Sequence, residues 1–240
     1  MRDSALKRRL VTAYFNAREL GQALAGMTAP AAYRSDVESY DDYWKLRGSG
    51  AVQPRFHIIA ADVVEGATLL DVGCGDGAML EFLARTKRVR ALGIDISEEA
   101  VRRAQLRGVT ARVQTLADLR SSGDAFEHVV MSEVVEHVAD AERFVADAWA
   151  VTRTSMWVTF PNIAYFPHRL RLLAGRFPVQ WVVFPGEHLR FWSVRDFTAW
   201  LAALHIPATC VVPSNGLTVA GAHRLFPNLF GNQIVVRCDR

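Results

Sequence analysis

Cysteine is scarce in this chain, and neither sign of charge dominates it. The 240 residues include three cysteines, Cys74, Cys210 and Cys238, which lie far apart and follow no CxxC or Cys/His spacing. Such spacings support neither a disulfide framework nor a structural zinc site, and they favour a reducing, cytoplasmic location. The 28 basic and 25 acidic residues leave a net charge of +3. We therefore expect no nucleic-acid partner held mainly through phosphates.

Long hydrophobic runs are also missing. No stretch approaches the roughly 20 apolar residues that span a bilayer, and the first 20 residues mix charges throughout, unlike a secretory signal. We expect neither export nor integral membrane contact. Residues 4 to 24 place apolar side chains at intervals of three and four, which predicts an amphipathic helix. That helix packs on the main domain or forms a homodimer contact; a peripheral membrane contact is the alternative.

The composition is that of a folded domain, with 50% hydrophobic and 22% charged residues. Helical patterns alternate with apolar runs of strand length, which predicts parallel βαβ units that bind ligands at the carboxyl ends of their strands. The predicted strands cover 67–72, 89–94, 109–116, 128–132, 156–160, 209–212 and 233–238. The predicted helices cover 55–64, 78–85, 98–107, 141–151 and 194–204.

One segment interrupts this alternation. Residues 161–192 are rich in proline, glycine and aromatics and are too long for an ordinary connection, so we interpret them as a lid or substrate insertion. The predicted organisation is thus an N-terminal helical extension over 1–50 and a main domain over 51–240 that contains this insertion.

A glycine loop follows the first predicted strand. Leu69 to Gly77 reads LLDVGCGDG, so backbone N–H groups and a helix N-terminus face the edge of the sheet. The spacing is GxGxG, whereas dinucleotide sites need GxGxxG, which argues against NAD. Asp95 ends the second strand, 22 residues after Gly73, where a carboxylate can accept both hydrogens of a ribose diol. Together these features predict a nucleotide-type cofactor.

These residues resemble the class I S-adenosylmethionine-dependent methyltransferases over roughly residues 40 to 238, and Met131 to Val138 resembles the family segment after strand four. The resemblance implies S-adenosylmethionine as cofactor and a Rossmann-like, doubly wound, mostly parallel seven-stranded sheet with an antiparallel last strand. Asp118 stands near, but shifted from, the family's adenine-contacting acid. The cofactor-binding residues that the resemblance implies are Asp71, Gly73, Cys74, Gly75, Gly77, Asp95, Ile96, Asp118, Ser132 and Tyr43.

The second half of the chain resembles the MetW group and its relatives in saccharide and natural-product pathways. The segments concerned are Thr159 to Asn162, Arg169 to Pro178, Glu187 to Phe197 and Phe226 to Gly231. The resemblance implies O-methylation of a small-molecule or saccharide hydroxyl or carboxylate. The alternative is an accessory subunit of a biosynthetic acyltransferase. A nucleic-acid methyltransferase is disfavoured because the Asn/Asp-Pro-Pro-Tyr/Phe motif is absent.

Three residues are candidates for catalysis. A hydroxyl acceptor must lose its proton, for which histidine is well suited. The resemblance places His188 on the substrate side, and His137 and Glu133 are predicted to share a helical turn after strand four. Each histidine has an alternative structural role. The spacing of Glu133 and His137 permits metal binding, but no third ligand is evident, so we expect no metal.

The insertion supplies the candidates for acceptor binding, namely Asn162, Arg169, Arg176 and Trp192. Because a guanidinium suits carboxylate or phosphate, its arginines predict an anionic acceptor; lid packing is the alternative. Aromatic residues offer a further wall: Tyr43 and Trp44 over the cofactor, and Trp181, Phe184, Phe191 and Trp192 around an apolar acceptor. All of these aromatics are also consistent with ordinary packing.

Overall fold

The computed structural model describes residues 39–178, 188–218 and 221–240, together with Gly21. The predicted helix over residues 4–24 therefore lies, apart from Gly21, outside the described residues, as do Trp181 and Phe184. Its homodimer role stays a prediction.

A single seven-stranded sheet organises the described residues, in the order β3-β2-β1-β4-β5-β7-β6. Strands β1 to β5 run parallel, while β7 pairs antiparallel with both β5 and β6. This confirms the predicted mostly parallel sheet with an antiparallel last strand. The strands are β1 (Thr68–Val72), β2 (Arg90–Asp95), β3 (Ala111–Val113), β4 (Phe126–Ser132), β5 (Thr152–Pro161), β6 (Ala208–Pro213) and β7 (Gln233–Asp239).

Successive strand residues point to opposite faces of the sheet. Both faces carry apolar side chains, and helices cover each of them. Leu69 and Trp157 belong to one buried cluster, whereas their neighbours Leu70 and Met156 belong to the other. The described helices are α1 (Tyr40–Leu46), α2 (Pro54–Asp62), α3 (Ala78–Lys87), α4 (Glu98–Leu106), α5 (Leu116–Ser121), α6 (Ala141–Ala150), α7 (Phe166–Leu173), α8 (Val194–Ala203), α9 (Ala222–Leu225) and α10 (Pro227–Phe230). Within the described ranges, no helix is both long and apolar enough to cross a membrane.

One predicted strand was wrong, and the insertion contains a helix that was not predicted. The strand predicted over 109–116 is only Ala111–Val113, and Leu116 instead begins α5. Thr115 caps this helix, since its Oγ1 accepts from the Asp118 N–H at 3.2 Å, and such a cap outweighs the short apolar run that suggested a strand. The insertion over residues 161–192 contains α7, which begins with a proline in its first turn, a position that proline favours.

Candidate functional site

The glycine loop connects β1 to α3 along the carboxyl edge of the sheet. Gly73 and Gly75 have φ of 69° and 55°, a left-handed conformation that favours glycine. The N–H groups of Gly73 and Cys74 donate to the Ile94 carbonyl at 2.8 and 3.1 Å. A Cβ on Gly75 would lie 2.5 Å from the Trp44 ring. The loop is therefore fastened to β2 and covered by Trp44.

A cavity of about 620 Å³ opens above this loop, a size typical of ligand pockets. It brings together most of the predicted cofactor residues and two of the three catalytic candidates. The predicted residues that line it are Asp71, Gly73, Cys74, Gly75, Asp95, Ile96, Ser132, Tyr43, Glu133 and His137. Of the remaining candidates, Gly77 lies outside the lining and packs close to Ala104 and Val109.

Asp95 is held in a fixed orientation at the end of β2. Its Oδ2 accepts from the Gly75 N–H and its Oδ1 from the Ser97 N–H, each at 2.9 Å. Burial raises the pKa of Asp95. Ile96 is 62% exposed beside it and lines the same wall as Gln114. This side of the cavity can hold a ribose and a flat base, as the resemblance implies.

Asp118 does not reach the cavity. Its Oδ2 accepts from the Thr115 hydroxyl at 2.6 Å, so the side chain serves the N-terminus of α5. Leu116 and Ala117 line the cavity in its place. The structure thus gives Asp118 a capping role, and its predicted adenine contact stays a prediction without support from the cavity lining.

One acidic and one basic side chain lie at the floor of the cavity. Asp71 is only 2% exposed, and burial followed by the nearby charge of Asp95 raises its pKa to about 8. Arg55 opposes this shift and donates from Nε to the Ser132 Oγ at 2.9 Å. Sequence reasoning missed Arg55, which lines the cavity and lies ahead of the glycine motif in no recognisable pattern. The floor suits a ligand that carries both positive charge and a carboxylate.

Helix α1 covers the cavity from the N-terminal side, and polar contacts attach it to the other described residues. It has no buried residue. The Asp41 carboxylate accepts from the Ser97 hydroxyl and from the Glu99 N–H at the start of α4. Beyond α1, the Gly50 N–H donates to the Asp76 carboxylate at 2.6 Å. Tyr43 and Trp44 line the cavity.

The loop after β4 differs from the prediction. Glu133 has φ of 58°, and only Val135–His137 form a short 3-10 helix. Glu133 and His137 therefore do not share a helical turn, because Glu133 has a left-handed backbone conformation and lies before the short helix. Both residues nevertheless line the cavity.

His137 and His188 meet at the cavity rim. Their ring centroids are 4.7 Å apart, but His188 is not among the lining residues. Burial, and then the charge of His137, lower the pKa of His188 to about 4. The N–H groups of Leu189 and Arg190 donate to the Glu136 carbonyl at 2.8 and 3.1 Å. The insertion is thereby fastened to the loop after β4.

The same loop contains a group that can hold a metal ion. Glu136, His137 and His188 offer one carboxylate and two imidazole ligand atoms, all within 4.8 Å of one another. Glu133, whose spacing to His137 permits metal binding, is not part of such a group among the described residues. Sequence reasoning missed this set because its third member comes from the insertion, about 50 residues away along the chain.

The predicted acceptor residues lie outside the cavity lining. The buried Asn162 donates from Nδ2 to the Gly231 carbonyl at 2.7 Å, and Trp192 packs against Trp200 with centroids 5.0 Å apart. Arg169 donates to the Ala164 carbonyl at 2.6 Å, and Arg176 is exposed after α7. These residues build the base of the insertion, and their acceptor contacts stay a prediction.

Comparison with known proteins agrees with this geometry. Residues 53–238 match the family described as "Methionine biosynthesis protein MetW". The ubiquinone biosynthesis O-methyltransferase of Methylobacterium nodulans is 30% identical over 184 residues, which cover 73% of this chain and 70% of that one. That of Mesorhizobium japonicum is 33% identical over 131 residues, 51% of this chain and 52% of that one. The chain thus spans only about half the length of some curated relatives.

Solved structures with a similar fold include the magnesium protoporphyrin IX methyltransferase of Synechocystis, crystallised with S-adenosylhomocysteine. It superposes with a TM-score of 0.59 at 17% sequence identity, and the match covers 97% of this chain and 99% of that one. At this identity the likeness concerns the fold. The glycine loop on β1, the acid after β2 and the match over residues 53–238 agree with one another. The chain therefore belongs to the MetW family, and its fold is that of the class I S-adenosylmethionine-dependent methyltransferases.

Proposed function

We propose that this protein is an S-adenosylmethionine-dependent methyltransferase that transfers a methyl group to oxygen on a small molecule. The observation that carries the proposal is the hydrogen bond from the Gly75 N–H to the Asp95 carboxylate at 2.9 Å, which joins the glycine loop to the predicted ribose acid on one cavity wall. Arg55 and Asp71 complete the floor: the guanidinium suits the carboxylate of a methionine end, and the Asp71 carboxyl, which a nearby positive charge would ionise, suits its ammonium group.

The bound cofactor would supply a methyl group already activated by its sulfonium. The protein's task is then to align an acceptor oxygen and to exclude water. In this proposal, helix α1 and the insertion cover the site and exclude water from it. His137 is the better candidate base because it lines the cavity, whereas His188 does not. The pKa of His188 is about 4, so this histidine is neutral at pH 7. His188 accordingly orients His137 in this proposal.

The names of the curated relatives favour one class of acceptor. The two curated relatives described above are named for ubiquinone biosynthesis, which favours a hydroxyl acceptor on a ring. A saccharide and an anionic acceptor remain proposals, and Arg47 and Arg143 at the cavity are consistent with a negatively charged one. No nucleic-acid partner is part of the proposal. The protein is proposed to act in the cytoplasm.

Calorimetry tests the cofactor first. Wild type is expected to bind S-adenosylmethionine and S-adenosylhomocysteine but not NAD, and Asp95→Ala is expected to weaken both sulfur ligands at least tenfold. Transfer of labelled methyl to 3,4-dihydroxybenzoate and galacturonate then tests the reaction. Binding of NAD in preference to the sulfur ligands would overturn the proposal.

An accessory role is the second candidate, favoured by the family description as a methionine biosynthesis protein. It predicts binding of S-adenosylmethionine without methyl transfer to any acceptor in a cell extract. It also predicts co-purification of an acyltransferase with the tagged full chain. Methyl transfer by the isolated protein would exclude a purely accessory role.

The expectation that no metal is required stays a prediction, although Glu136, His137 and His188 could supply ligands. Dialysis against a chelator tests it. Unchanged turnover would support the expectation. Loss of turnover that Mg²⁺ or Zn²⁺ restores in wild type, but not in His188→Ala, would overturn it.

A further inference from the structure

One side-chain amide connects a cation and an anion beneath the cavity. Gln233 begins β7, and its Nε2 donates to the Glu133 Oε2 at 3.0 Å. Its Oε1 accepts from Arg55 Nη1 at 3.4 Å and from Asn215 Nδ2 at 2.9 Å. Arg55 and Glu133 line the cavity, whereas Gln233 is not among the lining residues. Gln233 therefore acts on a ligand only through these two neighbours.

The hydrogen-bond partners of the Gln233 side chain determine the orientation of its amide. Its oxygen faces two N–H donors and its NH₂ group faces a carboxylate, so reversing the amide would lose all three contacts. The Gln233 backbone N–H also donates to the Asn215 Oδ1 at 2.9 Å. A glutamate would oppose Glu133, and a leucine would satisfy neither neighbour. Glutamine is the side chain that holds both charges at once.

Thr159 on β5 also holds Glu133 in place. Thr159 is fully buried, and its Oγ1 accepts from the Glu133 N–H at 3.0 Å and donates to the Glu133 Oε1 at 2.9 Å. Glu133 has the left-handed φ of 58°, a conformation that a non-glycine residue keeps only when its surroundings enforce it. Thr159 and Gln233 provide that enforcement, one at each carboxylate oxygen.

The order of the strands in the sheet indicates where Glu133 lies relative to Asp95. β1 lies between β2, which carries Asp95, and β4, which precedes Glu133. If Asp95 holds the ribose, the methionine end of the cofactor extends to the β4 side, toward Arg55 and Glu133. Guanidinium and carboxylate groups match the carboxylate and ammonium of an amino acid.

We propose that Gln233 and Thr159 are positioning residues that hold Arg55 and Glu133 to recognise the amino-acid end of the cofactor. They thereby make the site specific for S-adenosylmethionine over nucleosides that lack this end. The inference rests on the proposed cofactor, but it does not require an identified acceptor.

The test compares two ligands that differ only at this end. Calorimetry measures the Kd of S-adenosylhomocysteine and of 5′-methylthioadenosine for wild type, Gln233→Leu, Thr159→Val and Thr159→Ser. Gln233→Leu and Thr159→Val are expected to weaken S-adenosylhomocysteine about tenfold, as expected for lost hydrogen bonds to charged groups, and methylthioadenosine less than twofold. Thr159→Ser keeps the hydroxyl and is expected to retain wild-type discrimination.

Gln105→Leu is the matched control, because Gln105 donates from its amide to the Ala111 carbonyl at 3.0 Å and is not among the residues that line the cavity; it should change neither Kd. Equal weakening of both ligands, or of neither, in Gln233→Leu would overturn the inference. Wild type that binds S-adenosylhomocysteine but methylates no acceptor would overturn only the proposed transfer. Wild type that does not bind it would overturn both.

Discussion

At the scale of single residues, two positions decide how the cavity receives a ligand. Asp71 is a buried acid with a raised pKa, and Gly75 has a positive φ under an aromatic ring. Perturbed pKa values concentrate at binding sites, and a glycine with positive φ beneath a ring leaves no room for a side chain. Each makes a prediction about binding.

Asp71 should make binding of the cofactor depend on pH. Its pKa of about 8 means that the carboxyl is protonated at pH 6 in the empty pocket. A positively charged ligand favours the ionised form, so binding releases a proton and affinity for S-adenosylmethionine rises between pH 6 and 8, by at most about tenfold per pH unit. Calorimetry across this range measures it. Asp71→Asn should abolish most of the slope; an unchanged slope would assign the effect to another group.

Gly75→Ala should weaken binding through the Trp44 ring. The new Cβ would lie 2.5 Å from that ring, so α1 must shift outward from the cavity. We expect the affinity for S-adenosylhomocysteine to fall at least tenfold, with partial recovery in the double variant with Trp44→Ala. Gly108→Ala is the control, since Gly108 also has positive φ but its Cβ meets nothing within 4 Å. A similar loss of affinity in that control would contradict the argument.

At the scale of elements, α1 and the insertion are the parts that close the site. Among the described residues, helix α1 is attached through Asp41 and the Trp44 contact, Gly50 just after it is attached to Asp76, and no residue of α1 itself is buried. Elements with few buried apolar contacts open at low free-energy cost. Opening of α1 is thus the expected route for exchange of the cofactor.

Asp41→Ala should therefore speed both binding and release of S-adenosylhomocysteine, each by about threefold to tenfold, because α1 loses one of its anchors on α4 and keeps the Arg103 contacts to the Arg47 and Lys45 carbonyls there. Stopped-flow fluorescence measures both rates. Asp42→Ala is the control: Asp42 lies on the same helix but bonds to Ser39 and Lys45. Faster release with an unchanged binding rate would make α1 a fixed wall rather than a cover that opens.

At the scale of the whole molecule, the two core clusters hold the sheet edge that carries the site. Phe160 on β5 is fully buried and stacks on Phe197 of α8, with centroids 3.9 Å apart. It lies next in sequence to Thr159, which clamps Glu133. The stability of the core and the geometry of the site are therefore coupled through β5.

Phe160→Ala should lower the free energy of unfolding by about 3–5 kcal/mol through lost burial and a cavity. Urea denaturation measures it. Phe226→Ala removes the same ring from a position that is 60% exposed and should lower it by less than about 1 kcal/mol. Similar losses in the two variants would contradict the assignment of Phe160 to the core.

Local pattern was enough for the parallel sheet, the glycine loop and Asp95. Strand periodicity, glycine spacing and the acid after β2 are properties of neighbours along the chain, so they can be read without the fold. Tertiary structure decided the rest. Gln233 and Thr159 reach Glu133 across 100 and 26 positions of the chain, and His188 joins His137 from the insertion. The Thr115 cap turned Asp118 away from the cavity. These contacts depend on which strands lie side by side, and that order is set by the packing of both cores together.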